Sequence, residues 1–583
     1  MNTKSSPLEW AAVRIAVVVI AFLGLAILAN AFAAYFVAQE HYIYYWDWSG
    51  YWDRYREISN SLREHPIGTL HALVGSVRRD DYNSLPVLGL VPFEWLFGPS
   101  RLTYIFAITN LFLLPATFVL GLLAERIDQL GPPKRPFSPF GLVLASSTIL
   151  LLHPLWAPIL RGLPDVMGII LIGIILLLLF TTPPAEQKLH NLVATGLLLC
   201  LLVLLRRWYL FWVVAFFPAF ATAHVLDIYQ QHGMAWRRLM TPLGSALIIG
   251  LTFTLALFGF ATPLALRAIG TNYSDIYSAY RGSGSVLETA RQFSSYFGWI
   301  MIIGGLAGLA LLTARKGSRV LGIFLIVQTI IIFQLFARTQ DFGVQHYYLL
   351  IPAFALAIAT LAVRMSELHT NGFWRIASVA VLIMLLLINS SVVFVPRAEF
   401  LSGVFGSLIP EVRYHPLIRN DIDVVDRLLD RLERLELQQR GYIYVLASSA
   451  ILNSDILENN CRLGPQNWSF CDRILRSADV DKRDGFPRQF LDASYLVVAS
   501  PTQYHLRPDD QRVIGVLAKD VKESKGIGTS YEQLPGEFNL DEGVTAYVYA
   551  KVRPLERAAL DALADEFGGY YPDKRRIFST VDE

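Results

Sequence analysis

The chain has 583 residues, of which 54% are hydrophobic and 17% charged, and its mean hydropathy is +0.42. A chain of this size with so much apolar content is not typical of soluble proteins. Its formal net charge of +2 excludes the strongly basic balance of many nucleic-acid-binding proteins. The apolar runs end near residue 396, which indicates a membrane domain followed by a soluble domain.

Eleven apolar segments separated by polar breaks predict membrane-spanning helices. The first is longer than the apolar core of a signal peptide, so we predict a retained helix rather than a cleaved leader. The division between spans is least defined at Arg206-Arg207, where apolar runs lie on both sides. The predicted spans lie near residues 11–37, 102–124, 140–153, 165–181, 190–205, 208–226, 243–261, 297–314, 320–337, 347–363 and 374–396.

The lysines and arginines of the short loops predict the orientation of these spans. With the N-terminus in the cytoplasm, basic residues fall in alternate loops, which are therefore expected on the cytoplasmic side. They are Arg126, Lys134, Arg135, Lys188, Arg237, Arg238, Arg315, Lys316, Arg319 and Arg364. Because the number of predicted spans is odd, residues 397–583 are expected outside the cytoplasm. The expected location is a bacterial inner membrane.

The first predicted outer loop, residues 38–101, is long and polar and contains the aromatic stretch HYIYYWDWSGYWDRYREI. On a helix, Asp47 and Tyr51 share one face, and Arg54 follows closely. A carboxylate in a partly dehydrated aromatic pocket has a raised proton affinity and can take a proton from an acceptor hydroxyl. We therefore predict a catalytic role for Asp47, whereas most of the neighbouring rings are expected to form an interfacial belt.

The same loop contains two pieces that are expected to lie along the membrane surface and to build a cavity there. One is WSGYWDRYREISNSLREH, and the other is SLPVLGLVPFEWLFG, which is too short and too interrupted by proline to span easily. Between them, VRRDDYNSLPV supplies Arg78, Arg79 and Asp81. These residues either contribute to a site or belong to a solvated loop.

Other polar side chains fall at the predicted outer ends of spans. Asp165 in RGLPD is either a helix-capping acid or a site residue. Arginine offers paired donors to phosphate, so isolated arginines at the outer face suit a lipid phosphate, with snorkelling to headgroups as the alternative. The residues predicted to bind phosphate or substrate here are Arg207, Arg281, Arg338, His346 and Tyr347.

Motifs for metal and nucleotide binding are missing from the sequence. It has no His, Cys and carboxylate cluster at zinc spacing, and no Walker-type, GxSxG or GxGxxG motif. Nucleotide-activated donors are not available outside the cytoplasm. An enzyme working there would use an activated group that crosses the bilayer attached to a lipid.

These motifs resemble those of the GT-C superfamily of integral-membrane glycosyltransferases, above all the protein O-mannosyltransferases and the lipid A aminoarabinose transferases. The family's Asp-Glu-x-x-Tyr motif after the first span is similar to DWSGY, which supplies Asp47 and Tyr51. SLPVLGLVPFEWLFGPSRLTYIFAITN resembles the family's next segment, RGLPD supplies a second acid, Asp165, and HYYLLIPAFALAIA is similar to a late helix start. The resemblance covers roughly residues 10–396.

The resemblance implies a polyprenyl-phosphate-linked sugar donor and an extracytoplasmic glycan, lipid or protein acceptor. Asp47 would be the general base of an inverting transfer, and arginine and tyrosine side chains would hold the departing lipid phosphate. Trp48 stands in the place of the family's second acid. That departure weakens a metal role in this loop, so metal-independent transfer and transfer assisted by a divalent cation both stay open. If the reaction needs a second acid, it would be Asp165, Asp53, Asp80 or Asp81.

Residues 397–583 have the pattern of a small soluble α/β domain. NDIDVVDRLLDRLERLELQQR predicts an amphipathic helix, and GYIYVLASS, ASYLVVASP and VTAYVYAKV predict buried strands. Cys461 and Cys471 lie ten residues apart, and in an oxidising compartment we predict a disulfide rather than free thiols. Acceptor binding, covering of the active site and assistance in folding all stay open as roles of this domain.

The predicted fold is a polytopic α-helical, GT-C-like membrane domain over residues 1–396, with an extracytoplasmic α/β domain over residues 397–583. The leading functional prediction is a glycosyltransferase that uses a lipid-linked sugar. A lipid or solute transporter or flippase is the alternative, although such proteins tend to place ionisable groups within spans and to show internal repeats. A membrane-anchored receptor would leave the long polar first loop unexplained.

Overall fold

The computed structural model describes residues 7–129, 136–182, 186–233, 236–282, 285–368, 371–464, 466 and 468–580. The chain forms two compact units, and each combines segments that are distant in sequence. The first unit comprises Met1–Gln39, Gly50–Thr271 and Ser283–Pro416. The second comprises Glu40–Ser49, Asn272–Gly282 and Leu417–Glu583. Two short segments from the predicted membrane domain thus belong to the same unit as the C-terminal sequence.

Helices account for nearly all regular structure up to residue 416. A π-helical turn, Thr109–Leu113, joins α6 to α7, so these two helices form one continuous rod. The helices are α1 (Pro7–Val37), α2 (Asp47–Glu64), α3 (Pro66–Arg79), α4 (Leu85–Leu88), α5 (Val91–Phe97), α6 (Arg101–Ile108), α7 (Leu114–Asp128), α8 (Pro139–Leu150), α9 (His153–Leu160), α10 (Met167–Phe180), α11 (Leu189–Leu205), α12 (Leu210–His232), α13 (Trp236–Gly270), α14 (Tyr273–Ile276), α15 (Val286–Ala314), α16 (Arg319–Ala337), α17 (Ile351–Leu368), α18 (Gly372–Phe394) and α19 (Leu401–Phe405).

Many of these helices are suited to a bilayer. Among the residues that the structure describes, seven helices are long and apolar enough to cross a membrane, and α8 with α9 makes an eighth if the bent pair is one span. All eleven predicted spans overlap helices, but the helices of three of them, α10, α11 and α17, are not among these eight. The chain is an integral membrane protein.

Close helix packing in the first unit depends on glycine. A Cβ atom at Gly308 of α15 would lie 2.0 Å from the carbonyl oxygen of Ala357 in α17, and one at Gly305 would lie 2.4 Å from the ring of Phe354. Small residues let helix backbones approach each other in membranes, where dispersion contacts rather than the hydrophobic effect hold helices together. These two positions therefore fix the distance between α15 and α17.

The second unit is built around a mixed sheet. Its strands are β1 (Tyr442–Leu446), β2 (Ile474–Leu475), β3 (Ala493–Ser500), β4 (Tyr531–Gln533), β5 (Phe538–Asn539) and β6 (Thr545–Lys551). They lie in the order β2-β1-β3-β6-β4, with β5 also paired to β6. β1 is parallel to β2 and β3, whereas β6 is antiparallel to its neighbours. The three predicted strands are β1, β3 and β6.

Helices cover both faces of this sheet. Alternate residues of β1 point to opposite faces: Ile443 and Val445 belong to one hydrophobic cluster, and Tyr444 and Leu446 belong to the other. The helices are α20 (Ile422–Gln438) and α21 (Ser454–Leu463) on the first face, and α24 (Arg512–Glu523) and α25 (Arg557–Tyr570) on the second; α22 (Asp481–Asp484) and α23 (Arg488–Asp492) are short.

The amphipathic helix predicted from the sequence is α20. Its buried residues Val425, Leu428, Leu429 and Leu432 follow the helical repeat and face the sheet. A disulfide joins Cys461 at the end of α21 to Cys471, with 5.6 Å between the two Cα atoms. It ties α21 to the segment that leads into β2.

Candidate functional site

Asp47 is the first residue of α2, a polar helix that follows the apolar helix α1 in sequence. The carboxylate is half-buried. Negative charge is favoured at this end of a helix, where backbone N–H groups point outward. Asp47 therefore occupies a position that suits an ionised carboxylate.

The rings around Asp47 belong to the second unit and do not form an exposed belt. Ile43 and Tyr45 are 6% and 5% exposed and lie in the same hydrophobic cluster as α20 and β1. Tyr42, Trp46 and Trp48 pack against that cluster. The sequence predicted an interfacial belt for most of these rings because no local pattern indicates that residues so distant along the chain supply their packing surface.

Tyr280 of the second unit lies close enough to Asp47 for its ionisation to respond to that carboxylate. Burial, together with the negative charges of Asp479 and Asp47, raises the pKa of Tyr280. Its hydroxyl donates a hydrogen bond to Asp479 Oδ2 at 3.3 Å. The surroundings of Asp47 thus contain a protonated phenol, which is a donor and not a competing base.

The first unit contains a buried ion pair beside aromatic rings. Arg206 Nε lies 2.6 Å from Asp165 Oδ1, and the two side chains are 3% and 0% exposed. The guanidinium of Arg206 lies over the rings of Tyr51 and Tyr82, 4.8 and 5.1 Å from their centroids. The Tyr209 hydroxyl donates to the backbone oxygen of Asp165 at 2.8 Å. Asp165 and Tyr51, both predicted site residues, therefore meet at Arg206.

A second ion pair lies on the predicted loop VRRDDYNSLPV. Arg207 pairs with Asp81, and Arg267 Nη1 lies 3.6 Å from the other oxygen of the same carboxylate. Asn83 Nδ2 donates to the backbone oxygen of Leu204 at 2.7 Å. These contacts fix the loop to the junction of α11 and α12, so this part of it is not a freely solvated loop.

Three other predicted arginines form hydrogen bonds that involve backbone carbonyl oxygens. Arg54 donates to the carbonyl oxygen of Tyr82, and Arg78 Nε donates to that of Phe260 at 2.8 Å. The carbonyl oxygen of Arg79 accepts a hydrogen bond from Arg267. Arg78 and Arg79 are exposed.

The predicted site residues His346 and Tyr347, which follow α16, contact a backbone amide and aromatic rings. The Gly343 amide donates to His346 Nδ1 at 3.0 Å, and the imidazole lies 5.5 Å from the Trp208 ring. Tyr347 stacks on Tyr296 with 3.8 Å between the ring centroids. Arg338 at the end of α16 is exposed. Arg281 belongs to the second unit and is half-buried.

Sequence reasoning missed several partners in these clusters. Arg206 was considered as a phosphate ligand or as a residue that reaches lipid headgroups, but not as the partner of Asp165, and Tyr82, Tyr209 and Arg267 were not considered. The pair Arg206-Arg207 between two apolar runs was the available signal, because charges near a bilayer need counter-charges. It indicated that carboxylates must be close but not which ones.

A polar cavity of about 260 Å³ lies between the second half of α2 and α5. Its lining residues are Arg56, Asn60, Arg63, Glu94, Trp95, Gly98 and Pro99. Glu94 is 4% exposed, and burial raises the pKa of its carboxyl. None of these residues was predicted, since α2 and α5 meet only in the folded chain.

A metal centre is not indicated by geometry in the described part of the chain. Across residues 7–580, apart from the gaps in that range, no group of three or more His, Cys, Asp or Glu side chains is placed to hold an ion. The two alternatives from the sequence, metal-independent transfer and transfer assisted by a divalent cation, both stay open.

Comparison with known proteins gives similar structures at low identity. No family model matches the chain, and no curated protein matches its sequence. ArnT from Cupriavidus metallidurans bound to undecaprenyl phosphate has a TM-score of 0.46 and 13% identity, and the alignment covers 94% of this chain and 99% of that chain. Its apo structure gives a TM-score of 0.46 and 15% identity, with 92% and 98% covered.

An archaeal protein is similar as well. The oligosaccharyltransferase AglB from Archaeoglobus fulgidus, in complex with an inhibitory peptide and a dolichol-phosphate, has a TM-score of 0.42 and 12% identity. The alignment covers 82% of this chain and 69% of that chain.

Proposed function

We propose that this protein is a membrane glycosyltransferase that moves a sugar from a polyprenyl-phosphate-linked donor to an extracytoplasmic glycan, lipid or protein acceptor. The position of Asp47 supports this proposal most directly. It opens the polar helix that follows the first apolar helix, and it carries a half-buried carboxylate beside a protonated tyrosine. In the proposed reaction Asp47 takes the proton of the acceptor as that group attacks the anomeric carbon.

The arginines of the first unit support a lipid phosphate as the leaving group. Arg206 and Arg207 lie between α11 and α12 and are oriented by Asp165 and Asp81, respectively. Arginine binds phosphate through paired donors, and a guanidinium whose orientation is already fixed loses less entropy on binding. We assign Asp165 to holding Arg206, and its predicted role as a second catalytic acid stays a prediction.

Inversion at the anomeric carbon follows from a single displacement in which Asp47 serves as base and not as nucleophile. A divalent cation would supply positive charge to the leaving phosphate if the reaction uses one. The sequence-based choice between metal-independent and metal-assisted transfer is settled by assay with and without a chelator.

The proposal is tested by transfer of labelled sugar from a panel of polyprenyl-phosphate donors in membranes that carry the native chain or Asp47→Asn. The substitution keeps the size of the side chain and removes the base. We expect a loss of at least about a hundredfold in the transfer rate, as for a missing general base. Glu57→Gln, an exposed acid on the same helix, is the matched control and is expected to keep the native rate.

Two results would contradict the proposal. Native transfer by Asp47→Asn would remove Asp47 as the base. Failure of the native chain to consume any donor, together with movement of a labelled lipid across vesicles that contain it, would favour the transporter interpretation.

A further inference from the structure

The segment Glu40–Ser49, which carries Asp47, is built into the second unit. His41 pairs with Ile418 as in a parallel ladder. The His41 amide donates to Leu417 O at 2.9 Å, and the Arg419 amide donates to His41 O at 2.8 Å. With Ile43 and Tyr45 in the hydrophobic core of this unit, the segment is held by both backbone and side chains.

Two side chains of α21 hold the end of this segment. Asp455 Oδ2 accepts a hydrogen bond from the Trp46 amide at 3.0 Å. Asn459 Nδ2 donates to Tyr44 O at 2.8 Å and to Ser49 Oγ at 2.9 Å. Asn459 is 8% exposed, so its amide group has little access to water that could replace these partners. The three contacted positions lie on both sides of Asp47 in sequence.

The backbone between those contacts has an unusual conformation. Trp46 has a φ of +49°, in the left-handed region that bulky residues rarely adopt. Such a conformation persists where the surrounding structure enforces it. The Trp46 ring lies 4.4 Å from the imidazole of His505. The carbonyl oxygen of Trp46 accepts a hydrogen bond from the Ser49 amide. Trp46 directly precedes Asp47, so this turn is part of the backbone that holds Asp47 in the second unit.

The same region of the second unit holds the segment Asn272–Gly282, which carries Arg281. Asp275 lies 3.4 Å from Lys482 Nζ and 3.2 Å from Lys574 Nζ. Tyr280 donates to Asp479, as described above. Two segments from the helical part of the sequence are therefore fixed by side chains of the C-terminal sequence.

His505 connects the two segments. Its Nε2 lies 3.2 Å from Asp479 Oδ1, and Asp479 is also the acceptor for Tyr280. The imidazole ring lies 6.1 Å from the Tyr280 ring and 4.4 Å from the Trp46 ring. His505 thus contacts both segments, and Asp479 contacts His505 and Tyr280 of one of them.

We propose that the C-terminal domain is a positioning part of the active site, in which Asp455 and Asn459 fix the general base Asp47. They are positioning residues, because they contact the backbone and Ser49 around Asp47 and not the reacting atoms. The proposal rests on the proposed function in one respect: it takes Asp47 as the base. It gives the domain a role that the sequence left open.

The physical reason is the geometric demand of proton transfer. A general base must lie within hydrogen-bonding distance of the proton that it takes, and small displacements in an active site lower the rate strongly. Removing the Asn459 amide frees Tyr44 and Ser49 from α21, so Asp47 samples unproductive positions. The effect falls on kcat, since the donor is bound by other groups.

The test compares Asn459→Ala with Asn460→Ala in the full chain. Asn460 is the next residue of the same helix, is 5% exposed, and donates to Asp426 at 2.6 Å instead of contacting Glu40–Ser49. We expect Asn459→Ala to lower kcat roughly 10- to 100-fold with KM for the donor unchanged. Asn460→Ala is expected to keep the native kcat even if it lowers stability to a similar extent.

The aspartate is tested by rescue. Asp455→Ala removes the acceptor of the Trp46 amide, whereas Asp455→Asn keeps an oxygen in the same place. We expect the alanine variant to lose kcat and the asparagine variant to retain most of it. Equal losses in both would show that the negative charge, and not the position of the segment, is required.

A double-mutant cycle separates this proposal from that of the base. In the Asp47→Asn background, Asn459→Ala is expected to cause little further loss, because the base that it positions is already missing. Full additivity would overturn the positioning role while leaving Asp47 as the base. If Asp47→Asn alone has native activity, the proposed function fails, whatever the effect of Asn459→Ala.

A measurement that needs no substrate completes the test. Hydrogen exchange of the peptide 40–49 is expected to increase at least tenfold in Asn459→Ala and to stay at the native rate in Asn460→Ala. The peptide that covers β3 reports whether the whole domain has opened. Native exchange of the peptide 40–49 in Asn459→Ala would overturn the proposal.

Discussion

At the scale of single residues, the first unit depends on a buried pair of opposite charges. Removing one partner of such a pair leaves the other charge buried without compensation, which typically costs about 3–5 kcal/mol. Asp165 is fully buried against Arg206, and the guanidinium also lies over two tyrosine rings. Charge alone therefore makes Asp165 important for folding, apart from any role in catalysis.

We predict that Asp165→Asn destabilises the protein strongly and that Asp165→Asn with Arg206→Gln recovers part of the loss. The measurement is the midpoint of thermal unfolding in detergent, followed by the fraction of protein that stays monodisperse. Asp80→Asn, at an exposed acid of the preceding loop, is the control and is expected to unfold like the native chain. A double variant no more stable than the single variant would argue against the pairing.

A second residue-scale prediction concerns pH. Asp481 is 1% exposed, and burial raises its pKa to about 6 even though Tyr571 and the Val513 amide donate to it. Because the folded state binds this proton more tightly than the unfolded state, stability falls as pH rises from about 4 to about 6. Above that range Asp481 costs roughly 3 kcal/mol relative to acid conditions.

The check is hydrogen exchange of the β3 peptide at pH 4.5 and pH 7, corrected for the intrinsic rate. We expect the native chain to lose protection at pH 7 relative to Asp481→Asn, in which position 481 does not titrate. An identical pH dependence in the two proteins would show that Asp481 does not carry the effect.

At the scale of helices, glycine sets the closest approach in the membrane unit. α15 and α17 meet at Gly308, where a Cβ atom would overlap the Ala357 carbonyl oxygen. Backbone cannot move aside as a flexible side chain can, so the helices must separate and lose contacts along their length.

Gly308→Ala is therefore expected to lower the unfolding midpoint in detergent by several degrees, through a loss of roughly 1–3 kcal/mol from overpacking. Gly304→Ala is the matched control on the same helix, since a Cβ there would meet Ile358 at 3.7 Å, an ordinary contact. A midpoint for Gly308→Ala equal to that of the control would mean that the interface adjusts without cost.

The elements themselves were largely predictable from sequence. Continuous apolar runs predict the helices of the first unit, and the short apolar run in GYIYVLASS predicts β1, which is buried on both faces. Partners distant in sequence were not predictable. The Trp46 amide and the Asp455 carboxylate are 409 residues apart, and no local pattern connects them. The same limit explains why the rings around Asp47 were assigned to an aromatic belt.

At the scale of the whole molecule, the remaining prediction is sidedness. The positive residues of alternate loops predict that the C-terminal domain lies outside the cytoplasm, and the Cys461–Cys471 disulfide suits an oxidising compartment. Alkaline phosphatase fused at the C-terminus is expected to be active, and the same enzyme fused after Lys316 is expected to be inactive. The reverse pattern would mean that the chain crosses the membrane an even number of times.

The packing of Glu40–Ser49 against α21 also matters during synthesis of the chain. The ribosome makes this segment hundreds of residues before it makes α21, and at about 5–20 residues per second the interval is roughly 20–80 s. During that interval the first helices can enter the bilayer, but Asp455 and Asn459 do not yet exist to hold Trp46 and Ser49. A nascent chain thus spans the membrane before α21 exists, and the segment around Asp47 is held in place only when the later-made domain folds around it.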